Sequence, residues 1–175
     1  HAEIDKSEAD LENQAVLVKG MKLYTDKKWE EAISYLKKVK PLSAELQLEN
    51  SYTEMGHIDG LIGTCFIQMG KNVKAITYFD KVLSVDPENE MALNLKGHAL
   101  RNLKKYDEAI VNWNILITID EKNNSAWSNK GEDLFKLSKY NEAIFCYDKA
   151  LKIDPDDEGY WFNKGEALDK LSKYP

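Results

Sequence analysis

A period of 34 residues constrains this chain more than any other feature of it. The segments Asn94-Leu95-Lys96-Gly97, Ser128-Asn129-Lys130-Gly131 and Phe162-Asn163-Lys164-Gly165 recur at that interval, and Gly63 stands one interval before Gly97. Ala75, Ala109 and Ala143 keep the same step, as do Phe79, Trp113 and Tyr147, and then Val82, Leu116 and Ala150. Pro87 and Pro155 lie two steps apart, with Glu121 between them. A fixed period of this length builds stacked copies of one supersecondary unit, each burying its apolar face against its neighbours. Stability is then a sum of unit and interface contributions rather than the property of one central core.

Inside each unit the apolar spacing is helical. Leu93, Gly97, Leu100 and Leu103, then Tyr106, Ala109, Ile110, Trp113 and Leu116, advance in steps of three and four. Two amphipathic helices per unit follow. Asn89, Asn123 and Asp157 stand where a first helix needs an N-cap, and Asp107 and Asn141 where a second helix does, each able to accept from unpaired backbone N–H groups. Asp86-Pro87 and Asp154-Pro155 stop second helices. The glycine column reads as a place of close helix approach, with the alanine column facing it from the other helix. A bulky residue at Gly97 or Gly131 is expected to overpack that contact at a cost of about 1–3 kcal/mol.

Trp127, Gly131, Leu134, Ala143, Tyr147, Ala150 and Pro155 follow one another in an order that resembles the tetratricopeptide repeat (TPR) family. The resemblance covers units at about 56–89, 90–123 and 124–157, and a half unit over 158–175 carrying Trp161, Gly165, Leu168 and Tyr174. A more divergent first unit spans about 13–46, marked by Gly20, Trp29, Ala32, Ile33 and Leu36. The step from Gly20 to Gly63 is 43, so an insertion is placed at about 42–55; its sequence is helix-compatible and lengthens a helix or adds a turn of one. Ser7-Glu8-Ala9-Asp10 reads as the cap of a helix entering the first unit, with His1–Lys6 as frayed chain. The resemblance implies an all-α, right-handed solenoid of antiparallel helix hairpins, and the lack of any linker makes 1–175 a single domain.

Composition narrows what such an array can do. With 43% hydrophobic and 31% charged residues but only 4 prolines and 9 glycines, the chain is a folding sequence rather than a tail or a disulfide scaffold. A net charge of -6 argues against whole-molecule attraction to nucleic acid or an anionic membrane. Cys65 and Cys146 have no ligating residue nearby at metal-site spacing, which fits a reducing, cytoplasmic setting, and no apolar run is long enough for a membrane helix. Beginning at His1 and stopping inside a unit, the chain reads as a fragment of a longer array.

No catalytic, cofactor or metal constellation stands out. Acidic pairs such as Glu30-Glu31, Asp107-Glu108 and Asp156-Asp157 fall in first turns or caps, where a carboxylate suits the helix dipole. His57 and His98 lack a third ligand. The run from Gly56 to Gly63 has neither the preceding strand nor the Lys-Ser/Thr of a phosphate loop. Reading RNA with helical repeats needs a basic or aromatic column, whereas the columns here hold Glu132, Glu166 and Asp169.

The expected function is therefore protein binding, without catalysis. Resemblance to the family implies that a partner peptide or helix docks on the concave face lined by first helices. Helical spacing places Leu17, Met21 and Tyr24 of the first unit and Leu61 and Ile67 of the second on that face. The third unit adds Met91, Asn94, Leu95, His98 and Arg101, and the later units Asn129 and Asn163. The apolar members would receive the partner's side chains, and the asparagines resemble those with which family members hold peptide backbone. The Lys and Asn clamp that some members use for chaperone tails is not reproduced, since Leu17, Met21, Leu61, Met91 and Leu95 occupy its positions. The alternative is a self-assembling module in which Trp161, Leu168 and Leu171, lacking a second helix to cover them, join copies head to tail.

Overall fold

The computed structural model of the chain describes residues 8–40 and 50–173. Among these residues all regular structure is helical. A first compact unit, ending at Pro87, holds α1 (Glu8–Thr25), α2 (Trp29–Leu36), α3 (Asn50–Gln68) and α4 (Asn72–Val85). A second, beginning at Glu88, holds α5 (Glu90–Asn102), α6 (Tyr106–Ile119), α7 (Asn124–Lys136), α8 (Tyr140–Ile153) and α9 (Glu158–Lys173). Within each unit every helix packs against the next in the chain, so the repeats are helix hairpins whose second helix also meets the following first helix. The all-α hairpin repeat expected from the period is the observed fold. Of the insertion, residues 50–55 form the start of α3, while the rest lies outside the described residues, as do Ser7 and the expected frayed segment.

The first helices of the second unit begin as their sequence predicts. Asn89 accepts from the Ala92 N–H at 3.0 Å, Asn123 from Ala126 at 2.9 Å and Asp157 from Tyr160 at 2.9 Å. Each such cap contributes about 1 kcal/mol. The second helices begin differently. Asp107 and Asn141 are not caps but lie inside the first turns of α6 and α8; the capping positions are Lys105 and Lys139, neither of which uses its side chain. The reason is the tight turn before them. Lys105 N–H donates to Leu100 O at 2.9 Å and Lys104 N–H to Arg101 O at 2.8 Å, with Lys104 at φ 60°. This is the paired hydrogen bonding of a left-handed helix stop, and it feeds the chain directly into the next helix. The same pair of bonds recurs around Lys27, Gly70 and Ser138, all with positive φ.

The alanines Ala32, Ala75, Ala109 and Ala143 are fully buried, and the atoms nearest to a side chain added at Gly63, Gly97 or Gly131 belong to the aromatic column. A Cβ built on Gly97 would sit 2.5 Å from Trp113 Cη2, on Gly131 2.7 Å from Tyr147 Cε1, and on Gly63 2.7 Å from Phe79 Cε1. The aromatic column of the second helix therefore fills the space left by the glycine of the first. In the second unit Tyr147 anchors a core that also includes Trp127, Leu134, Cys146, Ala150 and Ala167.

Candidate functional site

On the first unit, Leu17, Tyr24, Leu61 and Ile67 are half-buried and Met21 is exposed. The Tyr24 ring meets Trp29 edge-on at 5.6 Å. Burial, and to a smaller degree Cys65, pushes its phenol above the usual range.

On the second unit the expected residues separate into two kinds. Met91 is 69% exposed and Asn94 is exposed, with Leu95 and Asn163 half-buried. A shallow cavity of about 330 Å³ lies beside Met91 and Asn94 of α5 and Ser125 of α7. These side chains are available to a ligand. His98, Arg101 and Asn129 are instead committed to packing and internal hydrogen bonds. The His98 ring lies edge-on to Trp113 at 5.2 Å, and burial first, then the Arg101 guanidinium, holds its pKa below the usual imidazole value against an opposing pull from Asp133.

Arg101 is the hub of that internal network. Its Nε donates to Asp133 Oδ1 at 2.6 Å, Nη1 to Glu132 Oε2 at 2.8 Å and to Asn129 Oδ1 at 3.1 Å, and Nη2 to the Asn129 carbonyl at 2.6 Å. The other oxygen of Asp133, Oδ2, accepts from Trp113 Nε1 at 2.6 Å. Asp133 is completely buried, and charge-assisted bonds on both of its oxygens are what permit a carboxylate there. The guanidinium also lies over the Trp113 ring, 5.5 Å from its centroid. Glu132 is drawn the other way: burial raises its carboxyl pKa more than Arg101 lowers it.

Asp133 was not among the residues singled out by helical spacing, although the sequence holds a signal for it. It stands in the column Cys65, Ala99, Asp133, Ala167, otherwise small and apolar, and its hub stands in the column Ile67, Arg101, Phe135, Asp169. Trp113 is the one member of Phe79, Trp113, Tyr147 with a ring N–H. Three departures from three columns thus compensate one another in space.

The remaining chemistry is quiet. Burial pushes both Cys65 and Cys146 thiols up to about 11, so they stay protonated and unreactive at neutral pH. Among the described residues no three His, Cys, Asp or Glu side chains come together as a metal site, and no helix is long and apolar enough to cross a membrane.

Models described as tetratricopeptide repeat match residues 62–114, 125–157 and 146–175, together more than half of the chain. No curated protein matches significantly. Among solved structures, a MamA crystal structure is similar at TM-score 0.78 and 20% identity, covering 91% of this chain and 82% of that one. MamA of Desulfovibrio magneticus RS-1 gives TM-score 0.72 and 20% identity, with 92% of each chain covered. The first TPR of Spaghetti (RPAP3), bound to the HSP90 peptide SRMEEVD, gives TM-score 0.64 and 23% identity over 68% of this chain and 94% of that one. At such identities the likeness speaks for the fold, which agrees with the columns and hairpins described above. On its repeat columns, its hairpins and the three matched models, the chain belongs to the tetratricopeptide repeat family.

Proposed function

We propose that the chain is a protein-interaction module whose first helices receive a peptide or helix of a partner protein. The observation that carries this reading is the exposure of apolar side chains on first helices whose opposite sides are buried: Met91 is 69% exposed on α5, while Ala92 and Leu93 beside it are in the core. Exposed apolar surface set among polar groups marks interaction sites, and Asn94 and Asn163 supply amides for a partner's backbone. The solved relative with a bound peptide supports a peptide as the class of ligand. Each unit presents its own set, Leu17, Met21, Tyr24, Leu61 and Ile67 on the first and Met91, Asn94, Leu95 and Asn163 on the second. His98, Arg101 and Asn129 act there as support, holding α5 and α7 in register. A peptide array probed with the chain tests this: Leu95→Glu and Leu61→Glu should each remove a distinct subset of bound peptides by at least tenfold while helicity is unchanged. Retention of the full set by both variants would overturn the groove.

Self-assembly is the second reading, favoured by one feature of α9. Trp161 is 53% and Leu168 48% exposed, Leu171 is half-buried, and a Cβ on Gly165 would meet nothing within 4 Å, unlike the other column glycines. Light scattering across a hundredfold concentration range should then show growth in mass that Leu168→Glu abolishes. A constant monomer mass would eliminate head-to-tail association.

A further inference from the structure

A cationic surface lies on the first unit, with its ammonium groups drawn from second helices rather than from the groove. Phe66 and Tyr78 form a tilted ring pair with centroids 5.5 Å apart. Three ammonium groups converge on it. Lys37, at the end of α2, lies 5.9 Å from the Phe66 centroid and 5.8 Å from that of Tyr78; Lys74 lies 5.8 Å from Phe66, and Lys81 4.4 Å from Tyr78. All three lysines are exposed. Ring faces attract cations, so the pair holds three like charges close together that would otherwise spread apart. Among the described residues Lys37 and Lys74 enter no ion pair, and Lys81 meets Asp59 at 3.6 Å.

We propose that Lys37, Lys74 and Lys81, gathered over the Phe66–Tyr78 ring pair, form a docking surface for an extended acidic segment of a partner protein. Spacing supports an extended ligand. Lys74 and Lys81 are two helical turns apart, about 10.5 Å along α4, and three residues of extended polyproline II chain cover about 9 Å and return the side chain to the same face. Carboxylates three residues apart would meet the two ends, with Lys37 reaching a position between. Nucleic acid fits less well, because it would use the rings for base stacking, whereas Phe66 is buried and the lysines lie over the rings.

The test is fluorescence polarisation at low salt with a labelled Gly-Glu-Gly-Gly-Glu-Gly peptide, against one of equal charge with its two glutamates bunched at one end. The spaced peptide should bind saturably and more tightly than the bunched one. Lys74→Gln or Lys81→Gln should each weaken it about twofold to fivefold, and the triple variant with Lys37→Gln more than tenfold. Thr77→Glu, which places a carboxylate between Lys74 and Lys81 on the same face of α4, gives an independent check and should weaken binding comparably. Leu95→Glu should leave it unchanged, which separates this surface from the groove. Absence of saturable binding, or binding indifferent to the lysines and to Thr77→Glu, would overturn the proposal. So would a twelve-residue oligothymidine that displaces the peptide and itself depends on the same lysines, since the surface would then belong to nucleic acid.

Discussion

Arg101→Met is expected to destabilise the second unit by about 3–5 kcal/mol, the cost of leaving a buried carboxylate without its cationic partner. Asp133 is completely buried and would keep only the Trp113 indole as a donor. An exposed lysine on the same unit, such as Lys104, replaced by Met should change stability by less than 0.5 kcal/mol or thereabouts. The columns name the rescue. Asp133→Ala restores the residue found at Ala99 and Ala167, so Arg101→Met with Asp133→Ala should recover part of the loss. Trp113 would then be left with an unpaired indole N–H, at about 1–3 kcal/mol. Adding Trp113→Phe, the residue of Phe79, removes that donor. Urea unfolding monitored by circular dichroism reads the whole series. If Arg101→Met cost no more than Lys104→Met, or if the double variant were the sum of its two singles, the pair would not be the closed unit described here.

The period made the architecture legible because backbone repetition and side-chain repetition coincide. A hairpin that packs against its own copies must bury the same positions each time, so Ala75, Ala109 and Ala143 disclose the fold without any structure. The caps at Asn89, Asn123 and Asp157 were legible for a similar reason, since a side-chain acceptor one residue before an apolar run has a local cause. The starts of second helices were not. Their geometry comes from the backbone stop of the preceding helix, and three of its four left-handed positions hold Lys27, Lys104 and Ser138 rather than glycine. Nothing in those residue types announces φ above zero.

The candidate site was legible as a face but not as an assignment of roles. Helical spacing put His98, Arg101 and Asn129 on the same surface as Met91 and Asn94, and spacing alone cannot distinguish a side chain offered to a ligand from one used by the next repeat. That distinction depends on a residue 32 positions away in sequence, Asp133, whose charge turns Arg101 inward. Reading deviations from a column, rather than the column, recovers it. The lysines over Phe66 and Tyr78 escaped for a different reason: they come from the end of α2 and from α4, and only packing of these helices about α3 gathers them.

Gly97→Ala should destabilise the second unit by about 1–3 kcal/mol, although alanine is intrinsically the better helix former by about 0.5–1 kcal/mol. The added methyl would lie 2.5 Å from Trp113 Cη2 and 2.6 Å from Cζ2, well inside van der Waals contact. The ring cannot swing aside cheaply, because Trp113 is fully buried and its Nε1 is held by Asp133. Gly131→Ala meets Tyr147 Cε1 at 2.7 Å and should behave alike. Gly165 belongs to the same column but has no described atom within 4 Å, so Gly165→Ala should instead stabilise α9 by about 0.5–1 kcal/mol. The sign therefore reverses within one sequence column, and thermal unfolding of the three variants side by side reads it directly. A stabilising Gly97→Ala would mean that α5 and α6 can separate without loss, and close ring-on-glycine packing would lose its place as the reason for the column.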